Sequence, residues 1–203
     1  MAPVFNFTSP VTARYIRWVG TKHRFDSYDS YFNTTHGFYM QLDEIYLYKP
    51  FEKIDPNKWY KIVSKINSNY CIDISGPLYQ CGQIIHLWQY AGTVNQQWKF
   101  VDVGNGCYHI ESRGNTSFGF DDPYGNLTNG TVLQLCDFNN FDDNQKWQVI
   151  NTGNGDYKIA PKISVNASSV IDLDNGNTVN DGKLQIWTSW DTNFQLWNIV
   201  EVP

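Results

Sequence analysis

Three aspartates stand at matching distances from three Gln-x-Trp tripeptides. Asp73, Asp121 and Asp172 precede Trp98, Trp147 and Trp197 by 25, 26 and 25 residues, and Gln96, Gln145 and Gln195 open the tripeptides. An ionised Asp is a strong acceptor, a Gln amide both donates and accepts, and an indole offers a broad apolar face with one donor. Groups of this kind hold a ligand by hydrogen bonds and contact. The chain has no GxSxG motif and no paired carboxylates beyond its acidic turns, which argues against hydrolysis by this chain and for a non-catalytic role.

These residues must be positioned by short strands. Segments such as Tyr60-Lys-Ile-Val-Ser and Tyr157-Lys-Ile-Ala are β-rich and are broken every dozen or so residues by Gly-Asn, Asn-Gly or Asp-Gly. No capped stretch keeps a 3.6-residue apolar period, so the expected class is all-β with little helix. The Trp-to-Trp intervals are 49 and 50, and Gly82, Gly130 and Gly182 stand 16, 17 and 15 residues before their Trp. Three copies of about 50 residues can close into a threefold-related barrel capped by hairpins, since one copy could not cover its own apolar face. Strand alternation would point each Gln and its Trp to the same side, the indole into the core and the amide onto backbone.

Composition narrows the function. With 203 residues, 17% charged, 16% aromatic and a net charge of −5, the chain is folded and lacks the basic surface that nucleic acid requires. No apolar run is long enough for a spanning helix, and the N-terminus lacks a charged-then-apolar leader. The four cysteines show no CxxC or His spacing for zinc. Their even number permits an oxidised, secreted protein. Six glycosylation sequons, at Asn6, Asn33, Asn115, Asn126, Asn129 and Asn166, bear on function only in a glycosylating host.

The triplicated Gln-x-Trp with its paired Asp resembles the ricin B-type β-trefoil, a carbohydrate-binding lectin module, over about residues 51–203. The resemblance implies one sugar cup per repeat: the Asp accepts from two hydroxyls, an aromatic on the next strand stacks on the ring, and an Asn at or before the tripeptide closes the rim. The first repeat carries Asp73, His86, Trp88, Asn95 and Gln96, with His86 where a Gln is usual, which puts any preference for galactose in question. The third carries Asp172, Gln185, Trp187 and Gln195, but Phe194 holds the Asn position and Asn193 lies one residue early. There Trp187 and Trp190 either floor a site or cover a hairpin. The second carries Asp121, Gln134, Asn144 and Gln145, with Cys136 replacing the aromatic plate and Phe138 a substitute ring two residues away. The expected order of competence is first, third, second.

The family often bridges a Cys two before the Asp to one two after the plate, where this chain has Cys71 and Tyr90. Cys71 to Cys81 with Cys107 to Cys136 is one pairing; free thiols are another. Asp172-Leu-Asp174-Asn-Gly176 and Asp121-Asp122 loosely suggest a calcium loop, but turn chemistry explains them and no metal or cofactor is expected. Residues 1–50 lie outside the repeat. Their runs Ala13–Val19 and Tyr39–Tyr48 resemble the closing strands of a discoidin-like jelly roll; Arg14, Arg17 and His23 could bind a ligand in an intact domain, but a solvated edge is the safer reading. A ribbon of two runs would need cover, and the parent protein is expected to extend upstream. The resemblance thus implies a lectin-like module of a larger secreted enzyme or toxin, binding galactosides or other glycans, without nucleic acid or membrane insertion. A protein-binding trefoil and a structural appendage with decayed sites are the alternatives.

Overall fold

A computed structural model describes residues 54–139 and 142–203. The ribbon expected over residues 1–50, with Arg14, Arg17 and His23, lies outside the described residues. Thirteen strands make up the fold, and its helical turns are all short 3-10 turns among the described residues. The first repeat holds β1 (Trp59–Ser64), β2 (Tyr70–Ile74), β3 (Gln83–Gln89) and β4 (Trp98–Gly104). The second holds β5 (Cys107–Ser112), β6 (Phe118–Asp121), β7 (Thr131–Val132), β8 (Gln134–Asp137) and β9 (Trp147–Asn151). The third holds β10 (Tyr157–Pro161), β11 (Ser169–Leu173), β12 (Gly182–Thr188) and β13 (Trp197–Val202).

Six strands close a barrel, each pairing antiparallel with the next in the order β1, β4, β5, β9, β10, β13 and back to β1. The hairpins β2–β3, β6–β8 and β11–β12 cap it, and β3 pairs with β8 and β12 to join the cap into a triangle. Closure leaves the barrel without an open edge. This is a β-trefoil, as the triplicated sequence predicts.

Trp98, Trp147 and Trp197 are fully buried in the shared core, each where a barrel strand begins. Phe120 lies edge-on to two of them, with ring centroids 4.6 Å from Trp98 and 5.9 Å from Trp147. Burying an indole here stabilises by ~2 kcal/mol or more, provided its N–H is satisfied. It is: the three indole nitrogens donate to the carbonyls of Ile72, Phe120 and Ile171 at 3.1, 3.1 and 3.3 Å. Each of those residues immediately precedes a repeat Asp, so the core tryptophan fixes the strand that carries it.

Two expectations change. Gln96, Gln145 and Gln195 end 3-10 turns and do not lie on the strands of their tryptophans, so strand alternation is not what directs them inward. The turn places each amide behind the hairpin instead. Gly82 and Gly130 have φ of +86° and +95°, but the left-handed residue at the third station is Asp181, φ +62°. Gly182 is needed for a different reason, because a Cβ there would come within 2.9 Å of the Asn177 carbonyl and 3.1 Å of Leu87. The repeat therefore stays in step; only the glycine has moved one residue.

Candidate functional site

Hairpin register sets the same constellation three times. Asp73 lies opposite His86, Asp121 opposite Gln134, and Asp172 opposite Gln185. Two pairs along, on the same face, Cys71 faces Trp88, Gly119 faces Cys136 and Val170 faces Trp187. The three aspartates are buried, and burial pushes each carboxyl above its usual range. Amide donors oppose that rise: Gln96 for Asp73, Gln134 and Gln145 for Asp121, and Gln185 and Gln195 for Asp172.

In the first cup, Asp73 Oδ2 accepts from Gln96 Nε2 at 3.1 Å, while Oδ1 is buried with no partner among the described residues. Gln96 also accepts from the Ala91 and Gly92 amides at 2.7 and 3.1 Å and donates to the Gln89 carbonyl at 3.0 Å, so it anchors the loop around the cup. The half-buried Trp88 indole lies 5.3 Å from the His86 ring, and His86 Nδ1 pairs with Asp181 of the third repeat at 3.0 Å. Asn95 does not close the rim. Its amide donates to the Gly76 carbonyl at 2.9 Å and accepts from the Tyr79 hydroxyl at 2.8 Å, which commits it to the loop after β2.

The third cup is more completely tied. Asp172 receives Gln185 Nε2 on Oδ1 at 3.0 Å and Gln195 Nε2 on Oδ2 at 3.1 Å, so both donors are glutamines and neither is Asn193. Gln195 also accepts from the Trp190 amide at 2.8 Å. Trp187 and Trp190 meet edge to face at 6.0 Å, with Trp190 left exposed. Phe194 lies over Gly176, where a Cβ would come within 2.4 Å of its ring. Asp174 accepts from Gln185 at 3.3 Å and from Asn175 at 3.0 Å, which is turn chemistry.

The second cup, placed last by sequence reasoning, opens onto a pocket. A pocket of about 600 Å³ is lined there by Asp121, Gln134, Asn144, Gln145, Asp137, Asp142, Asn139, Tyr124 and the Cys81–Cys136 pair. Asp121 Oδ2 accepts from Gln134 Nε2 at 2.6 Å and Oδ1 from Asn144 Nδ2 at 2.9 Å. Gln145 holds the wall, donating to the Asp137 carbonyl at 2.9 Å and accepting from the Asn139 amide at 2.7 Å. Phe138 does not substitute for the missing plate, because its ring stacks on His109 at 4.4 Å and lies where a Gly119 side chain would be.

The cysteine pairing differs from both expectations. Cys81 and Cys136 form a disulfide across a separation of 55 residues, and Cys71 and Cys107 are buried free thiols. The staple joins the first repeat's hairpin to the second's, and loop closure of that length stabilises by about 4 kcal/mol in the chain-entropy account. Burial pushes the Cys71 thiol up to about 12, which leaves it inert.

Sequence reasoning assigned Asp122 to turn chemistry beside Asp121, but the residue is part of the core. It is fully buried, its carboxylate oxygens make no close hydrogen bond among the described residues, and its carboxyl is pushed up to about 7 by burial and then by Asp121, with only the Asn126 backbone opposing the rise. In the other repeats this station holds Ile74 and Leu173, both core residues. Aligning the residue after each repeat Asp would have exposed it.

The sequence profile described as ricin-type beta-trefoil lectin domain-like matches residues 51–136 and 143–203 and takes in none of residues 1–50, where the discoidin-like resemblance gains no support. Among curated proteins, none matches. Solved structures with the same fold include ThreeFoil, a designed threefold-symmetric protein, at 23% identity and TM-score 0.65, covering 71% of this chain and 99% of that one. The Macrolepiota procera ricin B-like lectin, solved with lactose, aligns at 23% identity and TM-score 0.60, covering 74% and 99%. The exo-beta-1,3-galactanase 1,3Gal43A of Clostridium thermocellum aligns at 28% identity and TM-score 0.65 over 74% of this chain but only 32% of that one. With its triplicated hairpins and the profile spanning most of its length, the chain belongs to the ricin-type beta-trefoil lectin domain-like family and carries a carbohydrate-binding fold.

Proposed function

We propose that this chain is a non-catalytic module that binds galactose-type glycans through its three cups and delivers a larger secreted enzyme or toxin to them. The observation that carries the reading is the second-repeat pocket: about 600 Å³, floored by a buried Asp121 and walled by the amides of Gln134, Asn144 and Gln145. A hollow of that size suits one sugar ring, and buried carboxylates with fixed amides discriminate hydroxyl positions. Asp73 with Trp88 and Asp172 with Trp187 supply the acceptor and the apolar plate in the other cups. The lactose bound by the Macrolepiota lectin and the galactanase to which another trefoil is joined support a galactoside and an accessory role. Single cups bind weakly, and three on one rigid body gain avidity on dense glycans.

Calorimetric titration with galactose, lactose and xylose tests this. Heat of binding with a galactoside is expected, and Asp73→Ala, Asp121→Ala and Asp172→Ala together should abolish it. Saturable binding that survives the triple substitution would refute the reading.

A further inference from the structure

We propose that Tyr124 is the stacking platform of the second cup, taking over from another turn the role that Cys136 gave up. The inference rests on the reading of that cup as a sugar site and deepens it.

Three repeats place one residue in the same backbone state, three positions after the cup Asp. Gly76, Tyr124 and Asn175 hold φ of +84°, +58° and +54°. Gly and Asn are the residues that tolerate this left-handed conformation, whereas a bulky side chain is strained by it. Only the second repeat puts an aromatic there. Packing does not explain the choice, because Tyr124 is fully exposed and buries nothing in its own chain. Among the described residues the strongly exposed aromatics are Tyr124, Trp190 and Phe194, and all three stand at cups. The strain and the exposure together mark a ring kept for contact with something else.

The same repeat lacks a ring where its sisters have one. Cys136 occupies the station of Trp88 and Trp187 and is tied to Cys81, and Phe138 is stacked on His109. Tyr124 and Cys136 both line the pocket above Asp121. The Tyr124 backbone is also held firmly. Pro123 precedes it, the Gly125 amide donates to the Asp122 carbonyl at 2.9 Å, and the Asp122 amide donates to the Asn144 carbonyl at 3.1 Å. Asn144 Nδ2 returns a bond to the Asp122 carbonyl at 3.1 Å and reaches Asp121 at 2.9 Å, so the turn carrying the ring is clamped to the pocket floor. A pyranose entering here would lay its C–H face on Tyr124 and turn its hydroxyls to Asp121 and the amides. A platform on a clamped turn needs little further ordering to bind.

The test isolates the second cup by combining Asp73→Asn and Asp172→Asn in the full chain, then titrates galactose, lactose and xylose calorimetrically. Into that parent go Tyr124→Asn, Tyr124→Phe and Asp121→Asn. Tyr124→Asn copies the third repeat, so the thermal midpoint should hold or rise while affinity falls on the order of tenfold. Tyr124→Phe should bind within about twofold of the parent. If Tyr124→Asn keeps its affinity while Asp121→Asn loses it, the platform is refuted and the cup stands. If Tyr124→Phe loses as much as Tyr124→Asn, the ring face is not the contact and the inference fails. If the folded parent binds none of the three sugars, the second cup as a sugar site is refuted, and the platform with it.

Discussion

The first and second cups share a backbone and differ in what surrounds the central carboxylate. Around Asp73 the neighbours are apolar or aromatic: Ile74 follows it into the core, Trp88 is the plate, and Asn95 is spent on the Tyr79 loop. Around Asp121 they are polar and acidic: Asp122 takes the core station, Asp137 and Asp142 press on its charge, a disulfide replaces the indole, and Asn144 grips it directly. The comparison teaches that the trefoil fixes where the acceptor stands but not what walls it. One cup sets an indole beside a partly unpartnered acceptor, and the other sets a polar pocket around a fully bonded one.

The largest expected effect comes from Asp122. Its carboxyl is raised from 3.8 to about 7, so the native state binds the proton more tightly than the unfolded chain. Below about pH 4 both states are protonated and no cost arises. Stability is then lost as pH rises toward 7, by an amount on the order of a few kcal/mol. Asp122→Leu, which restores what the third repeat has, should remove that loss. Denaturant unfolding at pH 5 and pH 8 should show the wild type much weaker at pH 8 and the variant losing clearly less, the remainder coming from the raised carboxyls of Asp73, Asp121 and Asp172. An equal pH dependence in both would mean that Asp122 does not make the second repeat differ from its sisters.

A smaller effect separates the two asparagines. Asn144→Ala should weaken sugar binding at the second cup about tenfold, because Asp121 loses a donor to the charged carboxylate. Asn95→Ala should leave affinity at the first cup within about twofold while lowering stability by about 1 kcal/mol through the Tyr79 and Gly76 bonds. Titration and urea unfolding of both variants check this. Equal losses of affinity would erase the distinction drawn between the cups.

Much of the scaffold was readable because repetition is self-checking. Gln-x-Trp and the repeat Asp kept step three times, the turn glycine twice, and closure of three such units has few solutions. The resemblance to the lectin family then paired Asp73 with Trp88, and both lie on the β2–β3 hairpin. Comparing cups one residue at a time against a family pattern misled where neighbours compensate. Cys136 reads as a lost plate because spacing cannot show that Tyr124, on another turn, lines the same pocket. Asn95 looked like a rim residue because spacing cannot show that Tyr79 claims it. Cys81 and Cys136 are brought together by the β3–β8 pairing, a contact between repeats that no local spacing encodes.

The most direct test is to soak crystals with lactose and locate the sugar. The account predicts a galactose ring with hydroxyls on the repeat aspartates, above Trp88 in the first cup and against Tyr124 in the second. Lactose bound away from Asp73, Asp121 and Asp172, or those cups bare at concentrations where titration shows saturation, would contradict it.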